Sequence, residues 1–364
     1  MESQQGPLVY VGMSGGVDST VAAYLLREQG YTVRGVHLLL WHGQDINPVA
    51  AAALERVRLA ADQLGIPLEV LDWQQKFRVS VIEPYVSDLK AGLTPNPCIT
   101  CNRAIKWGAL LDYVQRQGAS WLASGHYARL KKDARGLVSL WRGKDPAKDQ
   151  SYFLSGLKQE VFQHMLFPLA EYTKQQTRQM ARSLDLPDFE GLESQDLCFL
   201  GPGGQEAFLR DYAPELLAPG VIVDSSGNHL GEHAGLPLYT IGQRKNIRVA
   251  APRPYYVLAK DVVHNRLVVG FQDELPRHKL LGTDINWISG TTPDLARPYA
   301  VKIRSAAAPV ISSFQVLGNG DIIAQLQKPL RDITAGQRMV IYDGDECLGS
   351  ALIIDHPANN NWED

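Results

Sequence analysis

Short apolar runs alternate with helical periodicity through the first half of the chain. LVYVGM (Leu8–Met13) reads as a buried strand. Ser14–Asp18 is a turn, and Ser19–Gln29 carries helical spacing that stops at Gly30. TVRGVHLLLW is a second apolar run. Ala50–Leu64 repeats apolar residues at helical intervals before Gly65 and Pro67, and PLEVLDW is a third strand. Ala104–Gln117 reads as a helix, starting just after Cys101, and SWLASGHY as the strand that follows it. Strands alternating with helices predict an α/β fold, a doubly wound parallel sheet with helices on both faces.

The pattern changes after about Gly201, where GPGG reads as a hinge. From Gly220 helical periodicity nearly vanishes. VIVD, PLYTIG, YYVLAKDV, RLVVG, AVKIRS, DIIAQL, RMVIYDG and SALIID read as short strands, separated by turns such as SSGN, GNGD and YDGDE. Such spacing predicts small β-barrels or sandwiches. The expected units are residues 1–200, 201–278 and 279–364, and HPANNNWED at the end reads as frayed.

Length agrees with that division, because 364 residues exceed one compact core. Hydrophobic residues make up 45% and charged residues 21%, the balance of an ordinary globular protein. Net charge is −3, so any nucleic acid must be held by local patches. MESQQGPLVYVG lacks the basic and apolar regions of a signal peptide. No apolar run is long enough to span a bilayer, so no membrane partner is expected. The four cysteines, Cys98, Cys101, Cys198 and Cys347, are too few for a disulfide scaffold; a cytoplasmic protein is expected.

GMSGGVDS (Gly12–Ser19) follows a strand and opens a helix. Its glycines and serines, Gly12, Met13, Ser14, Gly15, Gly16, Val17, Asp18 and Ser19, curl backbone N–H groups and hydroxyls around a concave turn. The helix N-terminus adds partial positive charge, so the turn suits a pyrophosphate. It lacks the lysine of a Gly-Lys-Ser/Thr ending. Asp18 sits where a carboxylate can hold Mg²⁺ against phosphates. A ligand-free glycine turn is the bland alternative; the whole Ser-Gly-Gly-x-Asp-Ser string argues against it. The string resembles the PP-loop of ATP pyrophosphatases, which split ATP into AMP and pyrophosphate. SGHYAR (Ser124–Arg129) ends a later strand, so His126 is expected on the ligand-bearing sheet edge rather than packed in a core.

TPNPCITCNRAIKWG (Thr94–Gly108) holds Cys98 and Cys101 behind two prolines. Structural zinc needs four ligands, and no second CxxC or HxxxH accompanies these. A disulfide between Cys98 and Cys101 is a second option. The third is a reactive thiol: a helix start lowers thiol pKa values, and Asn102, Arg103 and Lys106 add donors and positive charge. Cys347, in DGDECLGS, reads as a small buried hydrophobe with no role.

The order of motifs carries a closer resemblance. A PP-loop, TPNPxxxCNxxIKxG, SGHYAR, GKDPAKDQSYFL, a lone Cys before Phe, and YTIGQRK follow one another as in the tRNA-specific 2-thiouridylases. That resemblance implies a PP-loop domain, a small central domain and a C-terminal β-barrel. It implies ATP and Mg²⁺, with Leu38 and Gly125 joining Gly12–Ser19 at the nucleotide. It makes Cys101 the catalytic nucleophile and Cys198 the persulfide carrier that later closes a disulfide with it. Asn96, Pro97 and position 98 would contact the target base. His126, Lys148, Asp149, Gln150, Arg304, Ser305 and Gln337 would contact tRNA. A persulfide donor protein is the implied partner, and the product is 2-thiouridine at the wobble position.

Three positions depart from the family pattern. Cys98 stands where many members have Asp, a candidate general base. Asn246-Ile247 follows GQRK in place of Gly-Leu. Cys198 lies in ESQDLCF rather than after Ser/Thr-Gly. Cys98 also opens an alternative in which Cys98, Cys101 and Cys198 hold three corners of an iron–sulfur cluster. Of the basic clusters, Arg142–Lys148 and Arg244–Arg248 are read as a tRNA track; Arg129–Lys132 and Lys174–Arg182 are assigned nothing. A PP-loop C–N ligase and a non-enzymatic RNA-binding module are the rival readings.

Overall fold

A computed structural model of the chain describes residues 6–41, 48–184, 197–201 and 203–354. Five strands form a parallel sheet: β1 (Leu8–Gly12), β2 (Thr32–Leu39), β3 (Leu68–Asp72), β4 (Trp121–Ala123) and β7 (Met165–Leu166). Their order is β3-β2-β1-β4-β7. The chain runs outward from β1 through β2 to β3, then crosses back to place β4 on the other side of β1. The C-terminal ends of β1 and β4 therefore flank a topological switch point, where open α/β sheets bind ligands.

Alternation along β1 explains both faces. Val9 and Val11 point into one core, with Ala23 and Leu26 of helix Val17–Glu28 and Val57 and Ala60 of helix Pro48–Leu64. Tyr10 points the other way, to Trp107, Leu110 and Val114. All three β1 side chains are fully buried.

Two strands between β4 and β7, β5 (Ala128–Lys132) and β6 (Val138–Arg142), form an antiparallel hairpin. β8 (Gly220–Asp224), β9 (His229–His233), β10 (Tyr256–Asp261) and β11 (Arg266–Gly270) make a central four-stranded sheet. β12 (Arg277–Trp287), β13 (Tyr299–Lys302), β14 (Val310–Val316), β15 (Ile322–Leu330), β16 (Arg338–Asp343) and β17 (Glu346–Ile354) close into a six-stranded barrel through the β12–β17 pairing. The hairpin joins that barrel: Glu346 and Cys347 of β17 pair with Trp141 and Leu140 of β6. Among the described residues no helix is long and apolar enough to cross a membrane.

Several local expectations need correction. The helix at the cysteines begins at Pro97, four residues before Cys101, and runs on through a π-helical segment, Asn102–Ala109, to Arg116. Asn96 caps it by accepting from the Ile99 N–H at 3.4 Å. Proline at the first helical position costs nothing, because its missing N–H would be unpaired there anyway. PLYTIG is a 3₁₀ turn (Leu236–Leu238) and loop rather than a strand. Gly203 and Gly204 of GPGG open a helix, Gly204–Tyr212; Pro202 and the final HPANNNWED lie outside the described residues.

Candidate functional site

The glycine-rich turn leaves β1 at Gly12 and enters helix Val17–Glu28 with Gly16 as its cap, and no side chain caps that end. The first-turn N–H groups thus remain open to an anion. Ser14 N–H donates to Ser19 Oγ (3.2 Å), and the Ser19 hydroxyl donates to Gly16 O (3.1 Å). Gly15 has φ +79°, and a Cβ there would lie 2.7 Å from Ala53 O. Gly125, just past β4, presses against the same helix start: its Cβ would meet the Asp18 carbonyl carbon at 2.7 Å and Ser19 N at 2.8 Å. On β2, beside Leu38, the His37 Nδ1–H donates to Met13 O at 2.7 Å and fixes the back of the turn.

Asp18 is more constrained than its sequence position suggests. Both carboxylate oxygens accept from Lys174 Nζ at 2.7 Å. The Tyr127 hydroxyl donates to Oδ1 at 2.7 Å and lies 3.0 Å from Thr177 Oγ1.

A cavity of about 1310 Å³ opens beside this turn. Ordinary small-molecule pockets measure roughly 300–1,000 Å³, so this one has room for a nucleotide and a second group. Gly12–Ser14 and Gly16–Ser19 line it, with Leu38, Gly125, Asn96, Pro97 and Cys98. Cys101, His126, Lys148, Gln150, Cys198 and Gln337 line it as well. Gly15 faces away, shaping the turn through its backbone.

Three expected residues lie elsewhere. Asp149 caps a turn, accepting from Ser151 N (3.0 Å) and Ser151 Oγ (3.1 Å), so its carboxylate is turned inward. The Arg304 guanidinium bonds Thr334 Oγ1 (2.9 Å), Asp332 O (3.2 Å) and Ile241 O (3.4 Å), linking barrel to central domain. Ser305 accepts from Lys302 Nζ through its carbonyl at 2.6 Å. None of the three lines the cavity.

The thiols oppose the helix-start argument made from sequence. Cys101 is buried in the second helical turn, and burial pushes its pKa up to about 12, against the opposing pull of Lys106. Burial also raises Cys98, again with Lys106 opposing. Cys198 is exposed to the cavity, yet protein surrounds it closely enough that desolvation raises its pKa too. Burial alone would lower the pKa of Lys106, but the charges of Cys101, Cys198 and Cys98 outweigh it and raise it. Lys106 lines the cavity with all three thiols, and its charge opposes the rise of each. Arg103 turns away to Asp284 on β12, at 3.6 Å. Gly108 is required by the π-helical turn, which would bring Arg103 O within 2.6 Å of a Cβ.

His126 packs at a tilt against Trp107 and Phe167, with Nδ1 2.6 Å from Ser124 Oγ. Burial lowers its pKa to about 3, with Lys106 adding to the shift, so the ring is neutral in ordinary buffer. Steps that need the Cys101 thiolate should speed up about tenfold per pH unit between pH 7 and 9, because the thiol is protonated throughout that range. No inflection near 6.5 from His126 should appear. Single-turnover sulfur transfer measured against pH checks this; a plateau already at pH 8 would refute the raised thiol.

Sequence reasoning missed Lys174 as the partner of Asp18, and Arg178 and Arg182 as cavity-lining cations. Their i, i+4, i+8 spacing on helix Lys174–Ser183 was the available signal. The Arg244–Arg248 stretch is exposed apart from Ile247, which is buried. Asn246 there has φ +65°, the left-handed region that Gly takes freely and Asn tolerates best among side chains. Asn-Ile can therefore serve where the family pattern has Gly-Leu. Residues 193–196, before Cys198, lie outside the described residues.

A glycine-rich turn at the switch point of a parallel sheet, lining one cavity with three thiols and followed by two β domains, defines a three-domain PP-loop architecture. Family models match it in the same order: "tRNA methyl transferase HUP domain" over residues 8–202, "PRC-barrel domain" of that family over 206–271, and "Aminomethyltransferase beta-barrel domain" over 277–353. The tRNA-specific 2-thiouridylase MnmA of Magnetococcus marinus is 43% identical over 354 residues, 95% of this chain and 98% of its own. The protein of that name from Chloroflexus aggregans is 42% identical, over 95% and 98%. The chain belongs to the tRNA-specific 2-thiouridylase family. Among solved structures it is similar to the U34-tRNA thiolase NcsA of Methanococcus maripaludis with its [4Fe-4S] cluster, at 19% identity and TM-score 0.34, covering 53% of this chain and 62% of that one. So distant a likeness says nothing about a cluster here.

Proposed function

We propose that this protein replaces the C2 oxygen of the wobble uridine of tRNA with sulfur, consuming ATP and releasing AMP and pyrophosphate. One observation carries the reading: the PP-loop and the three thiols line a single cavity. Oxide is a poor leaving group, so the C2 oxygen first attacks the α-phosphorus of ATP, and later departs as AMP. The open N–H groups of helix Val17–Glu28 and the Ser14 and Ser19 hydroxyls suit the phosphates, and Asp18 suits Mg²⁺, which would neutralise phosphate charge when bound.

Sulfur arrives as a persulfide on Cys198 from a donor protein. Cys101 attacks the inner sulfur of that persulfide, the S–S bond breaks, and hydrosulfide leaves to attack C2. The product disulfide, Cys101–Cys198, is reduced by cellular thiols. Lys106 stabilises the anions formed along this path. The base leaves its stack to enter the cavity; that Asn96, Pro97, Cys98 and the neutral His126 line it supports their contacting the base. Residues 1–200 act as the adenylation unit, with 201–278 and 279–364 as the central and tRNA-contacting units, in the cytoplasm.

The iron–sulfur alternative fits less well. Among the described residues no three His, Cys, Asp or Glu side chains are grouped to hold a metal ion. The direct test is incubation with tRNA, ATP, Mg²⁺ and a persulfide donor, with nucleosides read by mass spectrometry. Iron-free protein that makes 2-thiouridine supports the reading; product only after iron reconstitution overturns it.

The tRNA track gives a separate prediction. Lys148→Ala and Arg244→Ala should each reduce the salt slope of tRNA binding by about one unit, the share of one neutralised phosphate. Unchanged slopes in filter-binding titrations would return both side chains to the solvated surface.

A further inference from the structure

The glycine-rich turn has no lysine of its own, yet ATP cleavage leaves a pyrophosphate whose charge must be neutralised. Helix Lys174–Ser183, packed beside the helix that the turn opens, supplies cations to the same cavity. Lys174 is its first residue, and Arg178 and Arg182 follow one and two turns later, all three lining the cavity with the PP-loop. Lys174 is held firmly. Thr173 and Gln176 close a capping box around the helix start, and the Lys174 backbone N–H donates to Asp145 Oδ2 at 3.0 Å. Its side chain is 12% exposed, and the ammonium grips both oxygens of Asp18. Asp18 itself lies in the first turn of helix Val17–Glu28, where an anion is favoured.

We infer that Lys174 is the pyrophosphate-binding cation of this site, and that Asp18 holds its place until nucleotide arrives. This rests on the adenylation reading above. The ammonium already faces a carboxylate out of bulk water, so exchanging it for a phosphate oxygen swaps one anion for another with little new desolvation. The same exchange frees Asp18 for Mg²⁺. When the uridine O2–Pα bond forms and the Pα–O–Pβ bridge breaks, the electron pair leaves on the pyrophosphate. Lys174, with Arg178 one turn behind it, receives that charge. Such a cation stabilises the transition state more than bound ATP, because the leaving group gains charge only as the bridge breaks.

The test compares two product fragments. Binding of magnesium pyrophosphate and of AMP is measured by calorimetry on the full chain, wild type and two variants. Lys174→Gln should weaken pyrophosphate at least tenfold and leave AMP within about twofold. Lys174→Arg keeps the charge and should retain most pyrophosphate affinity. Equal losses of AMP and pyrophosphate in Lys174→Gln would make the lysine a mere brace for the PP-loop and overturn the inference. So would unchanged pyrophosphate affinity. Wild-type protein that binds neither fragment would instead overturn the adenylation reading beneath it.

Discussion

Cys101→Ser should abolish 2-thiouridine formation while AMP and pyrophosphate continue to appear with tRNA and ATP. The thiol lies on the helix that starts at Pro97, whereas the phosphate turn hangs from β1, so the change leaves adenylation intact. A serine hydroxyl ionises far less readily than even this raised thiol and cannot attack a persulfide usefully, so the loss should be ~10³-fold or more. Cys198→Ser should be equally inactive, because no sulfur is carried. Cys98→Ser should retain substantial activity, since the mechanism asks no covalent step of it. Mass spectrometry of nucleosides after single turnover separates these outcomes. If Cys98→Ser were as inactive as the other two, the two-thiol mechanism would fail.

Gly125→Ala should reduce AMP formation about 10²-fold in a protein that still folds. The new methyl would stand 2.7–2.9 Å from three backbone atoms of Asp18 and Ser19. No flexible side chain is available to give way, so the start of helix Val17–Glu28 must move. Displacements near 1 Å at a reacting site cost on the order of 10²-fold in rate. ATP titration of AMP formation checks this; wild-type kinetics would show that the close approach is unimportant.

The parts legible in the sequence were those fixed by neighbours along the chain. β1 was an apolar run ended by glycines, and its turn needed backbone freedom that only glycine gives, as at Gly15. β12 and β14 escaped notice because a bulge breaks the alternation of RHKLLGTDINW and because VISSFQV is largely polar on one side. The β5–β6 hairpin escaped for another reason: its partner strand lies in the barrel. The thiol pKa values were misjudged because burial is a property of the folded cavity. The local signs, a helix start and a nearby lysine, pointed the other way. Even the helix start was misplaced, although Asn96-Pro97 is a cap followed by the favoured first residue. Lys174 was missed because its partner Asp18 stands 156 residues away, beyond any local pattern.

The strand pairing between β6 and β17 also sets a timetable for synthesis. Arg129 on the hairpin and Asp345 beside β17 meet across 216 residues of chain. At ~5–20 residues per second, a ribosome needs roughly 10–40 s to deliver the second after the first. Through that interval β6 exposes an unpaired edge, which invites pairing with another nascent chain. The N-terminal parallel-sheet unit thus waits for β17 before its own hairpin is covered. Chains released before β17 should be prone to aggregation even though the whole parallel sheet has already been made.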